Sequence, residues 1–311
     1  METAPTFLFL ISYSLFFIFI PYFHSFLLIL EDYSPSIQPM SFQNKTVFIT
    51  GGSRGIGKAI ALRLAKEGAN IVIATKSIEE NPKLGGTIFS AAKEVEEAGG
   101  KALAVQCDIR FEDQVQQAVE KAVGTFGGID ILVNNASAVS LSKIEQTAPK
   151  VFGLMHDINV KGTFFVSKAC IPHLKNGNNA HILNLSPPIN LDRKWFTNHL
   201  AYTMSKYNMT MIALGLSGEL KEFNIAANSL WPRTTIATAA VRNLLGGERL
   251  IKMSRTPEII SDAAYYILSK LPAECTGNCF IDEEVLANEG ITDLDKYAVV
   301  PGGNLYPDLF L

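Results

Sequence analysis

KTVFITGGSRGIGKAIALRLAKEG, residues 45–68, decides the fold. Its first six residues are an apolar, β-branched run that predicts a strand over 45–50. After the glycines, apolar residues recur at helical spacing and predict a helix over 56–67. Between the two, TGGSRGIG at residues 50–57 places glycines where the chain turns tightly from strand to helix, so that backbone N–H groups at the helix start approach an anion. In that context Gly51, Ser53, Arg54, Gly55, Ile56 and Gly57 are expected to hold the pyrophosphate of a dinucleotide.

Outward from this unit the pattern repeats. Short β-branched or apolar runs at 71–75, 102–107, 131–134, 181–185, 226–231 and 279–281 alternate with longer amphipathic stretches, which predicts successive βαβ units. The expected architecture is α/β: one doubly wound parallel sheet of Rossmann type over 40–311, with ligands beyond the carboxyl ends of the strands. With 311 residues and 48% hydrophobic content the chain buries a full core without disulfides or metal. Its four cysteines match neither a redox pair nor a zinc set, so they are expected to be reduced thiols and no metal is expected. A formal charge of −3 without a basic block gives no footprint for nucleic acid.

The amino end differs. Residues 7–30 are almost continuously apolar, long enough to cross a bilayer, which makes residues 1–39 a candidate membrane anchor. Against that, no lysine or arginine precedes Lys45, Pro21 falls mid-segment, and Met40 opens MSFQNKTVFITGG in the manner of a start, so the segment also reads as an upstream extension. Sequons at Asn135 and Asn184 fall inside the expected site, where a glycan would obstruct folding. The catalytic body is therefore expected on the cytosolic side, without a secretory or peroxisomal signal.

The second strand ends Thr75-Lys76-Ser77. An acidic residue there would select the ribose hydroxyls of NAD, whereas Lys76, with Arg54 in the glycine loop, favours the 2′-phosphate of NADP; NAD is the alternative. Asp108, after the third strand, reads either as an acceptor for the adenine amino group or as a helix N-cap.

Tyr202 and Lys206 lie one helical turn apart, so both side chains share a face. A phenol is a poor base at neutral pH unless a neighbouring ammonium and a positively charged nicotinamide bring it into range. Tyr266 and Lys270 have the same spacing but follow no polar strand end, and are read as packing and surface.

Five stretches in one order, TGGSRGIG at Thr50, NNAS at Asn134, NVKG at Asn159, the strand-end Ser186, and YTMSK at Tyr202, resemble the short-chain dehydrogenase/reductase family over residues 40–281. The resemblance implies that Tyr202 is the general acid/base and that Lys206 lowers its pKa and bonds the nicotinamide ribose. It further implies that Asn159 holds a relay water, and that Asn134, Asn135 and Ala136 support the cofactor side of the sheet. Asn134 and Asn159 also read as groups that satisfy buried backbone. A homo-oligomer and an apolar, lipid-like or steroid-like substrate follow from the same resemblance.

Two positions depart from that pattern. The family ends the strand Ser-Ser, the second serine polarising the substrate carbonyl; here Ser186 is followed by Pro187. A hydroxyl displaced by one residue points to the opposite face of a strand, so Ser186, a loop residue such as Asn190, or Tyr202 alone are the candidates for that task. Pro232-Arg233 stands where the family has Pro-Gly, and Arg233 reads either as an anion contact or as a surface charge. The expected activity is NADP-dependent interconversion of a carbonyl and an alcohol; a low-turnover dinucleotide sensor or scaffold is the competing reading.

Overall fold

In a computed structural model, which describes residues 41–80 and 84–311, the apolar runs form strands β1 (Thr46–Thr50), β2 (Asn70–Thr75), β3 (Lys101–Gln106), β4 (Ile131–Asn134), β5 (Ala180–Asn184), β6 (Ile225–Trp231) and β7 (Cys279–Ile281). All six neighbouring pairs are parallel, in the order β3-β2-β1-β4-β5-β6-β7. The helices are α1 (Gly55–Ala65), α2 (Ile88–Glu97), α3 (Glu112–Phe126), α4 (Pro149–Met155), α5 (Thr163–Leu174), α6 (Lys194–Thr197), α7 (Leu200–Glu219), α8 (Gly247–Lys252), α9 (Glu258–Leu268) and α10 (Asp282–Asn288). The candidate anchor at residues 7–30 and the candidate start at Met40 lie outside the described residues.

The strand runs are continuous in apolar residues because both faces of the sheet are covered. Side chains alternate: Val47, Ile49, Ile71 and Ile73 pack with Ile60 and Leu64 of α1 and Ile260 of α9. Phe48, Val72 and Ala74 pack on the other face with Val115 of α3 and Val166 of α5. Each valine, isoleucine, leucine or phenylalanine among them, removed from water, contributes roughly 1.5–3 kcal/mol before conformational entropy is set against it.

The strand order reverses between β1 and β4, which opens a crevice at their carboxyl ends. The glycine loop follows β1, Asn135-Ala136 follows β4, Ser186-Pro187 follows β5 and Pro232-Arg233 follows β6, so the topology gathers these four stretches on one edge. The expected elements form with ends shifted by one or two residues. One irregularity was not expected: between α4 and α5, residues His156–Gly162 adopt a π-helical turn with Asn159 inside it.

Candidate active site

The glycine loop is shaped by two different demands. Gly51 and Gly55 have φ of +66° and +54°, a region that side chains with a Cβ rarely enter. Gly57 is needed for space, because a Cβ there would lie 2.4 Å from Asn135 Nδ2 and 2.7 Å from the Gly51 carbonyl. Asn135 fastens the loop by donating Nδ2 hydrogen bonds to the carbonyls of Thr50 (3.0 Å) and Gly51 (3.1 Å), while the Thr50 hydroxyl accepts from the backbone N–H of Asn135 and Ala136. At the start of α1 no side chain caps the helix and no acid occupies the first turn. The N–H groups at Gly55, Ile56 and Gly57 thus open an anion site. Ser53 is buried with its hydroxyl lacking a protein partner. An orphaned hydroxyl beside uncapped helix N–H groups fits a pyrophosphate, so these residues suit a dinucleotide.

Arg54 donates to the Gly85 carbonyl (2.9 Å) and to the Ser77 hydroxyl (2.6 Å), which fixes its guanidinium beside the end of β2; Lys76 is exposed there. Asp108 does not cap α3, whose N-cap is Phe111. Its carboxylate is held by Arg110, with Nε at 2.9 Å and Nη2 at 2.5 Å, and that bond keeps it below the usual carboxylate range.

The middle of the sheet carries a polar ladder. Asn134 and Asn184, register neighbours on β4 and β5, are joined by an Nδ2–Oδ1 bond of 2.9 Å. Asn134 also donates to Ser167 on α5, and Asn184 to the Met209 carbonyl on α7. Asn159 is fully buried. Its Oδ1 accepts from Ala138 N–H (2.7 Å), and its Nδ2 donates to the Ala138 carbonyl and the Ser205 hydroxyl (both 2.9 Å). The Asn159 side chain thus braces the loop after β4 against α7.

Tyr202 and Lys206 stand on the inner face of α7, and both are buried. Lys206 Nζ donates to the Leu185 carbonyl (2.5 Å) and lies 5.0 Å from the centre of the Trp231 ring. Burial pulls this ammonium down to about 7, opposed by the nearby Asp308 carboxylate. Burial, then Asp308, push the Tyr202 phenol upward. The Tyr202 hydroxyl makes no hydrogen bond to another described residue, which leaves it available to a ligand. At the decoy pair, Tyr266 packs on Tyr265 (5.2 Å between ring centres) and Lys270 pairs with Glu289 (2.7 Å).

Ser186 is not brought to the open site. Two residues past the end of β5, it is fully buried and its Oγ accepts from Thr210 Oγ1 of α7 (2.9 Å). This corrects the expectation that it joins the catalytic set. The amide of Asn190 is also committed, donating to the Phe310 carbonyl (3.3 Å) and accepting from Asp192 N–H. The Arg233 guanidinium pairs with Glu284 at the surface. Sequence reasoning missed the segment around Phe310, which lies against Tyr202 with ring centres 6.1 Å apart. Its only signal was a cluster of apolar residues in an irregular stretch.

Comparison with known proteins agrees with this geometry. The short chain dehydrogenase family profile matches residues 45–248. Hydroxysteroid dehydrogenase-like protein 2 of Xenopus tropicalis is 60% identical over 266 residues, which is 86% of this chain and 63% of the relative. The human protein of that name is 56% identical over the same shares. The chain thus spans less than two thirds of the length of these relatives. Among solved structures, a putative dehydrogenase from Xanthomonas campestris superposes with a TM-score of 0.85 at 52% identity, covering 88% of this chain and 99% of that one. A short chain dehydrogenase from Mycobacterium thermoresistibile gives 0.83 at 55%, covering 87% and 96%.

Proposed function

The chain belongs to the short-chain dehydrogenase/reductase family of NAD(P)-dependent oxidoreductases, and from that premise we propose that it interconverts a carbonyl and an alcohol on an apolar substrate with NADP as cofactor. The observation that carries this reading is the uncommitted hydroxyl of Tyr202 one turn from a buried Lys206, on the sheet edge that bears the glycine loop. When bound, the nicotinamide supplies or takes the hydride. Tyr202 exchanges the proton with the substrate oxygen. Burial pushes the Tyr202 phenol upward, and Lys206, anchored by Leu185, is the group whose positive charge a buried phenol needs.

NADP is favoured over NAD by Arg54, already oriented by Ser77 and Gly85, and by Lys76 at the end of β2. The apolar substrate rests on the rings around Tyr202 and on the name of the relatives, which themselves are called hydroxysteroid dehydrogenase-like. Exposed Phe152, Phe164, Met204 and Met211 on α4, α5 and α7 support a homo-oligomer. Buried Asn184 and the loop-bound Asn135 support placement where no glycan is added.

The competing reading, a dinucleotide sensor with little turnover, draws on Pro187 and on Ser186 being spent on Thr210. Purified protein with NADPH and a panel of apolar aldehydes and ketones separates the two. The proposal requires turnover by the wild type. It also requires a loss of roughly 10²–10⁴-fold in Tyr202→Phe with NADPH affinity retained. Tight NADPH binding without oxidation of cofactor by any substrate would establish the sensor instead.

A further inference from the structure

Lys206 is a buried cation without a contact ion pair. Its Nζ donates to the Leu185 carbonyl (2.5 Å), reaches the Met209 sulfur at 3.5 Å and lies 5.0 Å from the centre of the Trp231 ring. No carboxylate among the described residues pairs with it directly. A carbonyl, a thioether and an indole face are a thin shell for an ammonium taken out of water, where an uncompensated charge is costly.

The compensating charge arrives on a strap that pairs antiparallel with the loop after β6. Thr235 N–H donates to the Tyr306 carbonyl (3.0 Å), Asp308 N–H to the Arg233 carbonyl (3.1 Å), and Thr234 bridges Pro307. The Trp231 indole N–H donates to the Leu309 carbonyl (2.9 Å), and Phe310 is seated among the rings of Trp195, Tyr207 and Trp231. The indole whose face carries Lys206 thus holds the strap by its edge, with Asp308 next to the residue it holds. Asp308 Oδ1 accepts from the Leu309 N–H (2.6 Å), while Oδ2 makes no hydrogen bond to another described residue. Burial pushes this carboxyl up to about 7; Asp282 adds to the push, and Lys206 opposes it. Its charge in turn reaches both Lys206 and Tyr202. The other ionisable groups around the pair have partners of their own. Arg233 pairs with Glu284 and Arg255 with Glu283, Asp282 accepts from the Arg233 and Glu283 N–H groups, and His199 on α7 is bonded to Thr203.

Resting on the proposed reaction, we propose that Asp308 is a positioning residue whose carboxylate is the counter-charge that keeps Lys206 an ammonium beside Tyr202. It acts across the interior, where a charge is screened far less than in water. Without that ammonium, one turn away on the same face of α7, the Tyr202 phenol lacks the positive neighbour that proton exchange requires. The carboxylate also disfavours the phenolate directly, so the proposal requires that loss of the ammonium outweigh relief of Tyr202.

The test titrates the full chain, isotope-labelled at lysine Cε, by NMR without cofactor or substrate; the signal lost in Lys206→Met belongs to Lys206. Asp308→Asn keeps an acceptor for the Leu309 N–H and removes the charge. It is expected to weaken the proton affinity of Lys206 about tenfold, the scale of a lost opposite charge, whereas Asp308→Glu, which keeps the charge, should weaken it less than about threefold. For a lysine that titrates at about 7, the same tenfold change makes kcat/KM of Asp308→Asn with NADPH and cyclohexanone fall roughly eightfold at about pH 7.5. At about pH 6, where Lys206 regains its proton, the rate should return to within about twofold of the wild type. Asp308→Ser, a second neutral variant, is read in the same way if the asparagine variant misfolds. An unmoved Lys206 titration in the neutral variants, a glutamate variant as weak as the asparagine one, turnover that falls alike at both pH values, or turnover that rises at about pH 7.5 overturns the proposal. A shifted titration in a protein that reduces no ketone sinks the proposed reaction and leaves Asp308 as the counter-charge; turnover with an unmoved titration does the reverse.

Discussion

Replacing Gly57 by alanine isolates the role of space in the glycine loop from the role of backbone freedom. The added Cβ would stand 2.4 Å from Asn135 Nδ2, 3.0 Å from its Cγ and 2.7 Å from the Gly51 carbonyl. Asn135 can retreat only by giving up its bonds to the Thr50 and Gly51 carbonyls, and the Gly51 carbonyl is backbone that moves only with the loop. Two hydrogen bonds at about 1 kcal/mol each, with ~1–2 kcal/mol of overpacking, give a destabilisation of roughly 3–4 kcal/mol. In a domain of this size that is a fall in melting temperature of roughly 6–16 °C. Gly52 is the internal control, since the atoms nearest a Cβ there are in the Ile49 and Ile73 side chains, at 3.4 Å and 3.5 Å. Gly52→Ala should therefore melt within about 1 kcal/mol of the wild type. Thermal melts of both variants, with NADPH titrations of Gly57→Ala, provide the assay; the displaced loop should weaken NADPH binding by more than about tenfold. Adding Asn135→Ala to Gly57→Ala removes the side-chain clash but not the backbone one, so cofactor affinity should not return. A Gly57→Ala protein that melts and binds like the wild type, or a Gly52→Ala protein that suffers as much, would refute the reasoning.

Two further predictions follow from buried groups. Lys206 is held down to about 7 by burial, so above that pH the unfolded chain binds a proton that the folded chain does not. Its contribution to stability therefore rises with pH from about 7 toward the ordinary lysine range. Lys206→Met should stabilise the protein by ~2–4 kcal/mol at pH 7, and the gap should shrink by pH 9.5 in paired urea melts; a gap that widens with pH contradicts the assignment. Asn159→Ala strands the Ala138 N–H and carbonyl and should cost ~2–4 kcal/mol. Hydrogen exchange at the Ala138 amide is the direct check, and unchanged protection there would show that Asn159 is no brace.

How much of this was legible in the sequence depended on distance along the chain. The sheet was readable because continuous apolar runs have few other fates, and the glycine loop because its turn is set by residues 50–57 alone. Tyr202 and Lys206 were readable because a helix fixes the relation of residues four apart. Ser186 was not, since the direction of its hydroxyl is decided by Thr210, 24 residues later. Asp108 escaped for the opposite reason: Arg110, two residues on, competes for the carboxylate that a helix cap or an adenine would use. Phe310 could not be placed at all, because its seat is made from Trp195, Tyr207 and Trp231, and nothing periodic announces a strap.

The departure after β5 takes on a different meaning once α7 is considered as a whole. Tyr202, Lys206 and Thr210 follow one another at four-residue steps and face the same strand end. Lys206 takes the Leu185 carbonyl, while the Thr210 hydroxyl lies within bonding distance of both Ser186 Oγ and the Pro187 carbonyl (2.6 Å). Pro187 and Pro188 bring no N–H of their own. The strand end is thus clamped to the helix by its acceptors, and the fully buried Ser186 presents no hydroxyl outward. Under the proposed reaction, the Tyr202 hydroxyl must then both polarise the substrate oxygen and exchange its proton, a division of labour that elsewhere takes two groups. A single donor doing both lowers the attainable rate, by about a hundredfold on the scale of a lost oxyanion donor. It also makes turnover depend on how closely the substrate is held against that one phenol.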